Sequence, residues 1–346
     1  MPCIPCSLSH ATQSQRQGGD IDLFGVGGNE KHAHMGFSYL AVDCYYDVLV
    51  QSILFFLRII CYKIIMMPSR QENSSIISET VAALETELGP DLRGLMVDRA
   101  VIGLFFSGVK LSDGSCGICF TPIKEIPESV CCPSSAAAMP NAGRLSRVPV
   151  TDYVKYLQQG RPLKAALGIA VLNALSQTCW RENPSRGYTI LPIHDTLDDL
   201  DIPDEAYVVV VGALVPYLRM LKKRGRPFGI LEKDLRTLKE DELPFFIEPE
   251  ETMTAIGRAD RMIITGTTLL NGALEGILKA AKPEAEIAVV GPTASMLPDA
   301  FFRRGVTVLG GVECTDADLL LDTLAEGGSG YHFFGKSARR IVIRKS

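Results

Sequence analysis

Met262-Ile263-Ile264-Thr265-Gly266-Thr267-Thr268-Leu269-Leu270-Asn271-Gly272 is the stretch whose reading decides the fold. A short apolar run meets a glycine and then a cluster of hydroxyls, a carboxamide and a second glycine. Apolar runs of this length bounded by turn residues are strands buried on both faces, as in parallel sheets. Working outward, similar runs recur at 207–211, 228–231, 286–290 and 306–309, with a short edge strand at 245–247. Helical segments at 216–224, 249–259, 269–281, 297–304 and 317–325 lie between and after them. Alternation of this kind with right-handed crossovers predicts a Rossmann-like doubly wound parallel sheet domain over 201–346. Ligands are then expected beyond the carboxyl ends of its strands.

The strand ends carry the candidate site residues. Gly212 permits a tight turn after the first strand, but the place of the second glycine of G-x-G-x-x-G is held by Leu214, so this is no dinucleotide fingerprint. Glu232, about twenty residues on, stands where a dinucleotide-binding domain puts its ribose-binding acid. Gly266, Thr267, Thr268 and Asn271 can present N–H groups and hydroxyls to an anion, and a helix cap by Thr267 or Thr268 accounts for part of the same pattern. The loop holding Gly291, Thr293 and Ser295 follows the next strand, so the two polar loops are expected to flank one crevice. After the last strand, Glu313 and Cys314 offer carboxylate and thiolate to a transition metal ion. An acidic helix cap formed with Asp316 is the plainer reading of the same residues.

The residues before the sheet read as a small α+β domain over 67–200. Ile76, Ile77, Val81, Leu84 and Leu88 recur at three- and four-residue steps and mark an amphipathic helix within 69–88, ended by Gly89-Pro90. Two β-rich runs at 101–110 and 115–121 flank the turn residues Ser112, Asp113 and Gly114 and predict a hairpin. The Ala- and Leu-rich run 163–179 predicts a mostly buried helix, and the acidic stretch 195–205 a linker. Cys116 and Cys119 form a C-x-x-C, but residues i and i+3 of a strand point to opposite faces, and their downstream partner is the adjacent pair Cys131 and Cys132. A four-cysteine zinc site is therefore disfavoured. His194 stands just before the linker, where it could face a cleft. Trp180 reads as core or interface.

Residues 1–66 differ in composition from all that follows. They read as an atypical extension, either disordered or upstream of a native start at Met66-Met67. The apolar run 48–65 approaches membrane-spanning length but is interrupted by Arg58 and Lys63, which argues against a span.

With 47% hydrophobic and 22% charged residues over 346 positions, the chain has the composition of a globular protein. Its net charge of −5 is spread along the sequence, which speaks against nucleic acid as a partner. Ten cysteines without a regular framework fit free thiols and a cytoplasmic location. The chain lacks a G-x-S-x-G elbow and an H-E-x-x-H motif, so the enzyme classes that rest on them lose their support.

Four segments carry a family resemblance: GIAVLNA at 168–174, the turn at 212–216, TGTTLLNG at 265–272 and GPTAS at 291–295. They resemble the DUF364 proteins, described as heavy-metal chelation proteins, with a preceding DUF4213 domain. The resemblance covers residue 67 to the end. It implies an enolase N-terminal-like first domain packed on a Rossmann-like second one, a site between them, and Asn173, Glu232, Thr267, Asn271, Thr293 and Ser295 as site residues. The expected function is binding of a metal ion or small anionic ligand in an interdomain cleft, as part of heavy-metal chelation or metallocofactor handling. The alternative is an enzyme using a nucleotide-type cofactor such as NAD or S-adenosylmethionine. A homo-oligomer is compatible with either.

Overall fold

The structure, a computed structural model, describes residues 75–125, 141–183, 187–193 and 201–346. The run 48–65, Cys131, Cys132 and His194 lie outside the described residues. No helix among those described is long and apolar enough to cross a membrane.

The chain enters through α1 (Ile76–Leu88), where the Ser75 hydroxyl caps the helix by accepting the Ser78 N–H. Ile76, Thr80, Leu84 and Leu88 form its buried stripe at four-residue steps. Strands β1 (Met96–Ile102), β2 (Phe106–Leu111), β3 (Cys116–Phe120) and the short β4 (Val148–Pro149) make an antiparallel sheet in the order β3-β2-β1-β4. The expected hairpin is β2–β3, turned at Gly114 with φ of 85°. The expected first run is divided between β1 and β2 by a turn at Gly103. A Cβ there would lie 2.4 Å from the Leu324 carbonyl oxygen, so the close approach of a later helix requires glycine. Next come α2 (Val150–Val154) and the long α3 (Pro162–Glu182), most of whose residues are buried. Trp180 on α3 donates its indole N–H to the Tyr188 hydroxyl at 3.1 Å.

The second sheet has seven strands: β5 (Tyr188–Ile193), β6 (Val208–Val211), β7 (Phe228–Leu231), β8 (Arg261–Thr265), β9 (Glu286–Val290), β10 (Val306–Cys314) and β11 (Ala338–Lys345). Their order is β5-β11-β10-β9-β8-β6-β7. Strands β6 to β10 run parallel, and β11 and β5 are added antiparallel at one edge. Counted from β6, the parallel part has the order 2-1-3-4-5, whose switch point falls between β6 and β8. Helix α4 (Val215–Arg224) covers one face through Tyr217, Leu218 and Leu221. On the other face α5 (Thr252–Arg258), α6 (Ala273–Ala280) and α7 (Asp299–Phe302) share one core with α1 and α3. Helices α8 (Ala317–Ala325) and α9 (Gly330–Phe333) pack with Val312 and Ala338 against β3. All described residues belong to one compact unit.

Two expectations are corrected in detail. The edge strand at 245–247 is a 3-10 turn over Leu243–Phe245 followed by a single bridge between Phe246 and Ile230. Pro244 has no N–H to give a ladder, and Phe245 instead stacks on Phe228 at 4.1 Å. The helix expected from 269 begins only at Ala273, because Gly272 takes a left-handed φ of 69° after a 3-10 turn over Gly266–Leu269.

Candidate functional site

At the switch point, Glu232 is engaged by the backbone. One carboxylate oxygen accepts the Ala213 N–H at 2.7 Å and the other the Asp234 N–H at 2.9 Å. The acid thus ties the turn after β6 to the turn after β7, a role a ribose hydroxyl would have to share. Gly212, with φ of 97°, lies so close to β8 that a Cβ would stand 2.8 Å from the Thr265 methyl. Lys124 and Glu125, beyond β3, reach the same rim through ion pairs with Asp234 (3.0 Å) and Lys233 (3.6 Å). Hydrogen bonds from Arg236 and Lys124 hold the Asp234 carboxyl well below the usual carboxylate range.

The loop after β8 is closed on itself. The hydroxyls of Thr265 and Thr267 share a hydrogen bond at 3.1 Å, and Thr268 donates to the Thr265 carbonyl at 2.7 Å. Asn271 Oδ1 accepts the Ala273 N–H at 3.0 Å and so starts α6. Gly266 is buried, and a Cβ on it would lie 3.0 Å from that of Ala294, so the loops after β8 and β9 touch.

Asn173, Thr293 and Ser295 come together, but inside the molecule. Each is at most 3% exposed, so they form a latch between layers and line no open cleft. The Asn173 amide nitrogen lies 2.8 Å from the carbonyl of Ile118, 3.1 Å from that of Pro292 and 3.3 Å from that of Thr293. Ser295 donates to the Pro292 carbonyl and accepts the Val312 N–H, both at 2.8 Å. A Cβ at Gly311 would stand 3.1 Å from the Ser295 hydroxyl, so that glycine admits the serine. Gly291 enters this loop with φ of 116°. The Thr293 hydroxyl accepts the Phe120 N–H at 3.1 Å and the Cys119 thiol at 3.8 Å. Burial pushes the Cys119 thiol up to about 12, with the Thr293 hydrogen bond opposing the shift. Thr293→Val keeps the shape and strands the Phe120 N–H. It is expected to cost about 1–2 kcal/mol in urea unfolding, and an unchanged midpoint would show that this contact contributes nothing.

A cavity of about 470 Å³ opens between α1, α3 and the loop after β8. Its walls include Ile77 of α1, Leu157 and Arg161 before α3, Ala165 and Ile169 on α3, and the loop from Thr268 to Gly272. Among the expected site residues, Thr268 and Asn271 line it. Glu275, also on its wall, is occupied by the Ile76 N–H at 2.6 Å and Arg304 at 2.8 Å. The cavity is mainly apolar, and Ser75, Arg161, Thr268, Asn271 and Glu275 are its polar lining residues. Nothing in the composition marks it, because its walls come from three distant segments.

Glu313 and Cys314 do not converge. Neighbouring strand residues face opposite sides, and Glu313 pairs with Arg339 at 2.7 Å. Cys314 instead packs against the apolar cluster that holds Cys116 of β3, while Cys119 faces Thr293 on the other side of that strand. Asp316 accepts the Leu319 N–H at 3.0 Å and caps α8. Among the described residues, no group of three or more His, Cys, Asp or Glu side chains is placed to hold a metal ion.

Fold and site together define an α/β protein in which a doubly wound sheet is locked, at its strand-end loops, to a smaller antiparallel sheet and its long helix. Residues 195–343 match the family model DUF364 and residues 86–176 match DUF4213, each described as "Putative heavy-metal chelation". The chain belongs to the DUF364 family, with a DUF4213 segment ahead of it. An uncharacterised protein of Methanocaldococcus jannaschii is 29% identical over 178 residues, covering 51% of this chain and 65% of the relative. The chain thus matches slightly less than two thirds of that relative's length. Two crystal structures of DUF364 family proteins of unknown function share the fold. The one from Pyrococcus horikoshii gives a TM-score of 0.61 at 19% identity, over 78% of this chain and 100% of that one. The one from Desulfitobacterium hafniense gives 0.57 at 17% identity, over 78% and 99%.

Proposed function

We propose that this protein is a metal-handling protein that receives its metal as a complex with a small organic anion, bound in the cavity between α1, α3 and the loop after β8. The carrying observation is that cavity: about 470 Å³, apolar along α3, with Arg161 and Asn271 among its polar lining residues. A space of this size and lining suits a small ligand with an apolar body and one acidic group, read by a few polar side chains. The family description supplies the metal. A protein whose described residues gather no donor cluster would rely on the ligand for most of the coordination. The nucleotide reading draws less support, since both oxygens of Glu232 already accept backbone N–H groups.

Ala165→Trp should fill the cavity while leaving the fold intact. In thermal-shift and calorimetric titrations with small carboxylates, alone and as nickel, cobalt, copper or zinc complexes, the natural sequence should gain stability by mass action. The filled variant should lose that gain entirely. Equal responses from both proteins would remove the cavity from consideration.

A further inference from the structure

Asn271-Gly272 is the one Asn-Gly pair in the chain, and it stands on the cavity wall just ahead of α6. Asn271 Oδ1 accepts the Ala273 N–H at 3.0 Å, a turn that the asparagine closes over its own main chain. The bond folds the carboxamide back over the intervening Gly272. That glycine holds a left-handed φ of 69° and has no Cβ to shield its nitrogen. Among the described residues its N–H has no hydrogen-bond partner. Both residues are half-buried, so water reaches them. The other described asparagines lack this combination. Asn173 is buried in the middle of α3 with its amide nitrogen against three carbonyls, and the next N–H belongs to the helix ladder. Asn183 precedes a proline, whose nitrogen carries no hydrogen, and Asn141 precedes an alanine.

We propose that Asn271 is a site of spontaneous deamidation, poised by the fold. The Gly272 nitrogen gives up its proton and attacks Cγ of Asn271. A new C–N bond forms, the bond from Cγ to Nδ2 breaks, and Nδ2 leaves as ammonia. Water then opens the resulting five-membered imide. Opening at one carbonyl leaves aspartate at 271, and opening at the other leaves isoaspartate, with the main chain routed through the former side chain. The balance is one water taken up and one ammonia released, with no oxidant or cofactor consumed. Negative charge gathers on Oδ1 during the attack, where the Ala273 N–H already donates, so the bond that starts α6 also lowers the barrier. Aspartate can keep that bond, whereas isoaspartate, with its lengthened main chain, gives it up. Either product places a carboxylate on the same cavity wall as Glu275, in place of a carboxamide that can donate.

The test uses the full chain, held at pH 8 in two portions, one folded and one in guanidinium chloride. Both are sampled over time by peptide mapping with mass spectrometry and by isoaspartyl-specific methylation. The folded chain should convert Asn271 at least as fast as the denatured one, while Asn141 and Asn173 stay intact in it. Asn271 that survives in the folded chain and converts only after denaturation overturns the proposal. The consequence for a ligand rests on the cavity reading given above. Asn271→Asp should fold, since its carboxylate accepts the Ala273 N–H, and should lose the stabilisation that small carboxylates confer on the natural sequence. A variant that keeps the full gain overturns that consequence. If neither protein responds to carboxylates, the cavity reading fails, and the peptide map still decides the deamidation site.

Discussion

Gly117→Ala is expected to destabilise the protein by about 3 kcal/mol or more, or to prevent folding altogether, because overpacking against backbone leaves no side chain to move aside. A Cβ at this position would lie 2.2 Å from the Ala170 carbonyl oxygen and 2.3 Å from the Ala174 nitrogen. Both belong to α3, so strand and helix would have to separate. Separation would disturb the Asn173 hydrogen bond to Ile118, the next residue along β3. Gly257→Ala is the contrasting case. Gly257 is exposed within α5, and its added methyl would meet only the Ala280 carbonyl oxygen at 3.8 Å. That change should stabilise by about 0.5–1 kcal/mol through helix propensity. Urea midpoints of the two variants should move in opposite directions, and a mild effect at Gly117 would mean that β3 and α3 are not locked as described.

The same close contacts explain what the sequence shows and what it hides. Strands β6 to β9 are legible because each holds a short apolar run bounded by polar or turn residues, and β8 with its loop fixes the class of sheet. Strand β10 reads as ending before Gly310-Gly311, since a glycine pair normally stops a strand. It continues to Cys314, because the second glycine makes room for Ser295. Its continuation brings Cys314 to the apolar cluster that holds Cys116, a grouping that only tertiary packing creates. Strand β11 is masked by arginines on both sides of its apolar triplet Ile341, Val342 and Ile343, and β5 contains Pro192, which argues against a strand unless the sheet tolerates it near an edge.

The candidate site is legible to a lesser degree. Asn173, Glu232, Thr268, Asn271, Thr293 and Ser295 stand out as polar residues at strand ends or on a buried helix. In the structure the side chain of each has a hydrogen bond to main chain. A loop that leaves a buried strand exposes N–H and C=O groups in need of partners, so the residues that satisfy them are of the same types that bind ligands. Periodicity and residue type cannot separate the two uses. The cavity residues Leu157, Ala165 and Ile169 are invisible for the opposite reason, since apolar helix residues look alike whether they face a core or a ligand.

Asn173→Asp is expected to cost about 3–5 kcal/mol at neutral pH, the range found when a charge is left buried without a partner. The substitution preserves shape and replaces the amide nitrogen with oxygen, opposite three carbonyls that now lack their donor. At 2% exposure, water cannot solvate the new carboxylate. Its folded-state pKa should therefore rise above the unfolded value near about 4. For an acid with a raised folded pKa, the native state holds the extra proton, so the penalty grows as pH rises from the unfolded pKa through the folded one. Below that window the protonated acid regains one O–H donor, and part of the loss is restored. Urea midpoints for Asn173→Asp should accordingly approach those of the natural sequence between pH 7.5 and pH 5, whereas Asn173→Leu should show a loss of about 2–4 kcal/mol that does not depend on pH. A penalty for Asn173→Asp that stays constant across that interval would mean that the carboxylate finds water or a cation at the junction, and that the layers are less tightly closed around Asn173 than its three hydrogen bonds indicate.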